Sequence, residues 1–238
     1  MTARRLALWT TIAATLCAEI AEGQYRPGDK LPTEAQLAIR FSVNRHTIRH
    51  ALATLADKGL VHSRRGSGVF VALHPTDYAL GRRVRFRENI AASGQTPSRK
   101  ITRLETRYAS PRETEALALP DGAQVHVVEG ISFADDAPLA AFRSVLPADR
   151  FPGLPANIAA TGSITDALAL EGLADYTRAT TRLTAKSAPA TLAQQLRLPE
   201  GAPILRSVAI NVDSAGQPVE FGTAWFAGDR VTLTVNSD

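Results

Sequence analysis

Apolar residues at a spacing of four, Leu8, Ile12, Leu16 and Ile20, mark one face of a helix over about 6–21, which Gly23 ends. Tyr25-Arg26-Pro27-Gly28-Asp29 reads as a turn. Thr33 is an N-cap ahead of Glu34, and Leu37 and Phe41 are the core contacts of a short second helix. After a break at Ser42-Val43-Asn44, the residues Ile48, Ala51, Leu52 and Leu55 form the buried stripe of a third helix over about 45–58, with Gly59 as its C-cap. Short strands at 60–62 and 69–71 flank the basic, glycine-bearing hairpin tip Ser63-Arg64-Arg65-Gly66-Ser67-Gly68.

Beyond this head the pattern changes. Residues 73–81 read as a linker, because Pro75 ends any strand and the composition shifts. Four arginines, Arg82, Arg83, Arg85 and Arg87, come next, followed by a helix to about residue 93 that Gly94 and Pro97 stop. Alternating stretches predict strands at 99–108, 124–134, 139–146, 176–187, 203–213, 218–226 and 230–235, with short helices at 111–118, 163–171 and 189–197. Asp135-Asp136 and Ser214-Ala215-Gly216 are hairpin turns. Adjacent long hairpins with scattered helices point to an α+β domain with an antiparallel sheet. Residues 117–123 (LALPDGA) and 196–202 (LRLPEGA) are near copies, each ending a helix and entering a strand, which implies a duplicated helix–strand unit.

The chain has 238 residues, 45% hydrophobic and 21% charged, enough for two cores. No apolar run is long enough for a membrane span, so no membrane partner is expected. Cys17 is the only cysteine, which excludes an internal disulfide and fits a cytoplasmic protein. The net charge of +4 is unevenly spread: residues 1–72 hold ten Lys/Arg against five Asp/Glu, and the rest is nearly neutral. A basic head on a neutral body is the electrostatic pattern of a nucleic-acid-binding head.

Two short helices joined by a tight break and followed by a basic hairpin give the winged helix-turn-helix pattern, whose second helix presents its first residues to the major groove. Those residues are Asn44, Arg45, His46, Thr47 and Arg49. Asn44 and the free N–H groups of Arg45 and His46 can hold a phosphate, and Arg45 or Arg49 can pair bidentately with guanine. His46 can read a base or face a phosphate. Arg64, Arg65 and Gly66 at the wing tip, and Thr33 at the start of the second helix, complete the candidate DNA surface. Each arginine taken alone is also an ordinary solvated residue; the argument rests on the set.

The stretches 31–38, 43–49, 58–61 and 66–71 resemble the DNA-binding domain of GntR-family repressors, and the likeness covers nearly all of 6–72. Where that family often has a DNA-contacting arginine, this chain has Ala35. Residues 82–238 resemble the UTRA effector domain of the HutC subfamily, which implies a chorismate-lyase-like antiparallel sheet with helices. The segments 43–47 and 77–86 are most similar to PhnF-type regulators of phosphonate metabolism. The expected organisation is therefore a DNA-binding domain at 1–72, a linker at 73–81 and an effector-binding and dimerisation domain at 82–238. The resemblance implies a homodimeric repressor of phosphonate uptake or utilisation genes. It would bind double-stranded DNA at a palindromic operator, and a small phosphorylated or phosphonate-related effector would release it. The family's ligand positions carry over to Arg85, Ser132, Ser163, Thr165, Glu220 and Phe226. Ser132 stands where relatives often have arginine, and Phe226 where some have tyrosine. Arg143, near the same sheet face, is a further candidate. Arginine forks before a helix suit a tetrahedral anion independently of the resemblance.

The five histidines are scattered, no phosphate loop follows a strand, and no cofactor, metal or enzyme activity is expected. The other readings are a HutC-type repressor with a sugar-phosphate or amino-acid effector, and an enzyme on the chorismate-lyase-like fold.

Overall fold

The computed structural model describes residues 8–64, 66–72, 75–83 and 85–235, in two units spanning Met1–His74 and Pro75–Asp238. The first unit contains α1 (Leu8–Ala21), α2 (Glu34–Arg40), α3 (Arg45–Asp57), β1 (Val61–Arg64) and β2 (Gly68–Val71). Ile12 and Leu16 of α1 meet Leu37 of α2 and Ile48 and Leu55 of α3 in one core. Thr33 and Gln36 form a reciprocal capping box on α2: the Thr33 N–H donates to Gln36 Oε1 at 2.8 Å, and the Gln36 N–H donates to Thr33 Oγ1 at 3.3 Å. Asn44 caps α3 by accepting the Thr47 N–H at 2.8 Å. Between the two helices Ser42 adopts φ 52°, and the Val43 N–H closes onto Ala38 O. This left-handed residue turns α3 across α2 without a long loop. A bidentate ion pair of Arg40 with buried Glu19 ties α2 to α1. Residues 28–31, read partly as a turn, run beside β2 as a third lane of the wing: the Leu31 N–H donates to Val69 O and the Val71 N–H to Asp29 O.

The second unit contains β3 (Thr76–Ala79), α4 (Phe86–Ala92), β4 (Pro97–Tyr108), α5 (Pro111–Leu117), β5 (Gln124–Ala134), β6 (Ala137–Pro147), α6 (Leu154–Thr161), α7 (Ile164–Leu170), β7 (Thr177–Ser187), α8 (Ala190–Leu196), β8 (Pro203–Val212), β9 (Pro218–Ala227) and β10 (Val231–Thr234). Six strands pair antiparallel in the order β4-β5-β6-β9-β8-β7. The order is a duplication: β4-α5-β5-β6 and β7-α8-β8-β9 are the same unit twice, joined edge to edge where β6 pairs β9. The near-copied sequences lie at equivalent places in it. Ala118 and Arg197, the residues that end α5 and α8, share one left-handed geometry, φ 51° and ψ 46°. Ala123 then accepts the Ala109 N–H, and Ala202 accepts the Ala188 N–H.

One sequence expectation is corrected here, and one element is added that the sequence pattern did not suggest. The stretch read as a linker holds β3, which pairs parallel with β10 through Thr76↔Val231 to Ala79↔Thr234. That strand belongs to the second unit, and its partner lies at the far end of the chain, where local pattern gives no warning. The stretch between β6 and α7 holds α6, although Gly153 and Pro155 look like breakers. Pro155 sits in the first turn, where a missing N–H breaks no helical bond, and Gly162 caps the end at φ 65°.

Candidate functional sites

In the first unit the start of α3 is capped by Asn44 and exposed at Asn44, Arg45 and His46. Asn44 Oδ1 accepts both the Thr47 N–H and the Thr47 hydroxyl at 2.8 Å, so Thr47 is fixed to its own helix end. Arg45 is exposed and makes no hydrogen bond or ion pair among the described residues. His46 is exposed and stacks on His50 at 6.3 Å, and His50 meets the Trp9 ring edge-on at 4.9 Å. Arg49 donates from Nε to Glu34 Oε2 at 2.8 Å, so an acid on α2 aims the arginine on α3. Sequence reasoning took Glu34 only as an early helical residue. Arg64 pairs through its backbone with Gly68, Gly66 turns the tip at φ 75°, and Arg65 lies outside the described residues. Lys30 was also missed. Its aliphatic arm lies across Gly68, whose φ of 114° is the feature that favours glycine there.

In the second unit a cavity of about 420 Å³ lies over one face of the sheet. Strand alternation selects its floor: Phe142 and Ser144 of β6, Ser207, Ala209 and Asn211 of β8, and Glu220, Gly222 and Phe226 of β9. The start of α4 and the α6–α7 turn form its mouth.

Five of the seven sequence candidates line this cavity: Arg85, Ser163, Thr165, Glu220 and Phe226. Arg85 stacks on the Tyr176 ring at 3.8 Å and donates to Tyr176 O at 3.1 Å and to Asp175 Oδ1 at 3.4 Å. Ser163 caps α7 by accepting the Asp166 N–H at 3.2 Å. Thr165 shares a 3.1 Å hydrogen bond with the Tyr176 hydroxyl. Glu220 is buried; Oε1 accepts from Ser144, and Oε2 accepts from Asn211 Nδ2 at 2.6 Å. Phe226 packs on Tyr78 at 5.2 Å.

The other two candidates do not line it. Ser132 is buried at 2% exposure beneath Arg99, whose Nε lies 3.3 Å from its hydroxyl. Arg143 is displaced by one residue of strand alternation to the opposite face, where it donates to Glu113 at 3.1 Å and lies 3.6 Å from Glu129.

The cavity also holds two arginines that sequence reasoning passed over. Arg99 of β4 sits over the Phe86 and Phe142 rings at 5.0 and 4.7 Å, and no carboxylate among the described residues lies within ion-pair distance of it. Burial draws its pKa below the ordinary arginine value, against the pull of Tyr78 and Glu220. Arg178 of β7 donates from Nε to Asn211 Oδ1 at 3.4 Å. Burial also raises the Tyr176 and Tyr78 hydroxyls above their ordinary range, so both are neutral donors.

The chemistry available here is recognition. Among the described residues no cluster of three or more His, Cys, Asp or Glu is placed to hold a metal ion, and no helix is long and apolar enough to cross a membrane. A capped recognition helix with a glycine-tipped wing and a separate cationic cavity define a DNA-binding regulator with a small-molecule effector domain. Comparison with known proteins gives the family. Residues 8–71 match the bacterial regulatory proteins of the gntR family, and residues 92–232 match the UTRA domain. An uncharacterized HTH-type transcriptional regulator of Rhizobium meliloti (strain 1021) is 34% identical over 233 residues, covering 98% of this chain and 96% of that one. The probable transcriptional regulator PhnF of Escherichia coli (strain K12) is 33% identical over 232 residues, covering 94% and 92%. The crystal structure of PhnF from Mycobacterium smegmatis aligns at TM-score 0.67 and 26% identity, over 95% of this chain and 99% of that one. The chain belongs to the GntR family of bacterial regulatory proteins, in the group that carries a UTRA domain, and it is a transcriptional regulator rather than an enzyme.

Proposed function

We propose that this regulator is a repressor that a small anion releases from DNA. In this reading a homodimer places two copies of α3 in successive major grooves of a palindrome whose half-sites lie ~10 bp apart. Asn44, Arg45, His46, Thr47, Arg49, the wing arginines Arg64 and Arg65, Gly66 and Thr33 form its DNA-facing set. The effector occupies the 420 Å³ cavity and favours a state whose heads no longer match the operator. It can do so only by binding that state more tightly.

The observation that carries the reading is the cavity's charge. Arg85, Arg87, Arg99 and Arg178 line it, and the acids that answer them leave Arg99 without an ion pair. An unanswered guanidinium in a partly dry pocket attracts an anion strongly. The effector is accordingly a phosphorylated or phosphonate-related metabolite, and the genes under control are those of phosphonate uptake and utilisation. The likeness of segments 43–47 and 77–86 to phosphonate-pathway regulators supports that narrower assignment.

The test is to select genomic fragments with the purified protein, then release the recovered site with candidate anions. Recovery of one palindrome beside phosphonate genes, released by methylphosphonate or an alkylphosphonate, is the expected result. A palindrome beside other genes, released by a hexose phosphate, would overturn the pathway and keep the repressor. No shared site would overturn the repressor.

A further inference from the structure

We infer that Arg99 and Arg178 together form the seat for a doubly charged tetrahedral oxyanion, a phosphate or phosphonate head group, on the floor of the cavity. The inference deepens the anion-released repressor reading and rests on it.

The two arginines are one position, used twice. The step in the sequence that carries Leu117 onto Leu196 also carries Arg99 onto Arg178, and Ser132 onto Asn211. The sheet register agrees: Arg99 lies opposite Ser132 across β4–β5, and Arg178 lies opposite Asn211 across β7–β8. In each copy the arginine Nε donates to the side-chain oxygen of that cross-strand neighbour, at 3.3 and 3.4 Å. A guanidinium tied at Nε keeps its two terminal nitrogens for something else, in the planar fork that suits an oxyanion. Both arginines line the same cavity. Both also act electrostatically on the Tyr78 hydroxyl, which lines that cavity with them.

The arginines at the mouth, Arg85 and Arg87, and Arg83 just before them in the chain are engaged differently. Arg83 holds Asp175 bidentately, the shortest contact being 2.6 Å, and Arg85 shares that acid. Arg87 lies 3.6 Å from Asp166. Arg99 and Arg178 have no such partner among the described residues; Glu220 acts electrostatically on Arg99 and is joined to Arg178 only through Asn211, and Asn211 and Ser144 already satisfy it. Two guanidiniums tied at Nε, neither in an ion pair among the described residues, leave positive charge unanswered, and a dianion answers it better than a monoanion.

The experiment is calorimetric titration of the full chain with inorganic phosphate, methylphosphonate and acetate. The proteins are the natural sequence, Arg99→Gln, Arg178→Gln, the double variant, Arg85→Gln and Ser132→Ala. The natural protein should bind phosphate and methylphosphonate at pH 8 and bind acetate more weakly than either. Each floor variant should lose at least about tenfold in affinity. The double variant should lose less than the product of the two single losses, because both arginines grip one group. Ser132→Ala keeps the charge and frees Arg99 to swing, so it should lose only a few-fold. That variant keeps the question answerable if Arg99→Gln does not fold. Floor variants that bind like the natural protein, with Arg85→Gln alone abolishing binding, would move the head group to the mouth and overturn the inference while leaving the anion reading intact. Acetate binding as tightly as phosphate would overturn it too. If no anion binds the natural protein, the anion-released reading falls, and this inference with it.

Discussion

Glu113→Gln tests how the effector domain holds α5 against its sheet. Glu113 is 4% exposed. Its Oε1 accepts from Arg107 at 2.8 Å and from Arg143 at 3.1 Å, and its Oε2 accepts from Arg107 and from the Ser110 N–H, each at 2.8 Å. The Arg107 hydrogen bonds, aided by those from Ser110, overcome the cost of burial and hold the carboxyl at about 2 instead of 4.5. That difference corresponds to stabilisation on the order of 3 kcal/mol. The folded state favours the ionised form, so this contribution is complete above pH ~5 and fades as the pH falls from the unfolded value through the folded one. The glutamine variant lacks it at every pH. Urea unfolding followed at Trp225, in a Trp9→Phe background that leaves it as the lone tryptophan, reports on this domain. The variant should be less stable by about 3 kcal/mol at pH 7, and the gap should shrink at pH 3. A gap equally large at pH 3, or no gap at pH 7, would show that packing, not charge, anchors α5.

Arg49→Ala should weaken specific operator binding by about 1–3 kcal/mol and relax preference at one base pair, read by anisotropy on single-base operator variants. An equal loss on every sequence would assign Arg49 to a phosphate. The Arg49–Glu34 pair is exposed, so Glu34→Gln should change unfolding by less than ~1 kcal/mol. It should still lower the ratio of specific to non-specific DNA binding, and an unchanged ratio would refute the anchoring role. Asn44→Ala should cost the head about 1 kcal/mol by removing the cap on α3, measured at Trp9 in a Trp225→Phe background; no change would mean that water replaces the cap. Ala118→Gly relieves a left-handed alanine and should raise stability by roughly 0.5 kcal/mol in the same urea assay; a loss would show that the methyl group packs more than it strains.

The head was legible because its signals are local. Helical spacing, two capping residues and a glycine-tipped hairpin lie within reach of one another in sequence, and each appears where it was expected. The effector sheet was legible as strands and hairpins, down to the copied LALPDGA and LRLPEGA segments. Its exceptions are long-range: β3 finds its partner β10 at the other end of the domain. Ser163, Thr165 and Glu220 were reached through the family resemblance rather than through local pattern, and they line the cavity because the start of α7 and strand β9 border it. Strand alternation fixes which residues share a face, but not which face a helix will cover. For that reason Arg143 was placed near the wrong face, and Arg99 and Arg178, each one polar position in a long strand, were passed over.

The duplication also explains how a cavity with converging cations arises from a sequence that shows none. Each βαββ copy offers one edge-strand arginine and a short polar residue opposite it, and neither copy alone makes a site. Pairing β6 with β9 turns the copies toward each other, so that two weakly informative positions bear on one cavity. The copies have diverged in what holds the arginine. Ser132 is a short partner that leaves Arg99 poised over Phe86 and Phe142. Asn211 accepts from Arg178 and also donates to Glu220, which bonds on to Ser144 of β6. Arg178 is therefore the cation wired into the central strands and Arg99 the freer one. An anion gripping both must draw Arg99 toward a fixed Arg178, pulling edge strand β4 rather than the β6–β9 centre. Movement on binding should accordingly concentrate in β4 and in α4 beside it.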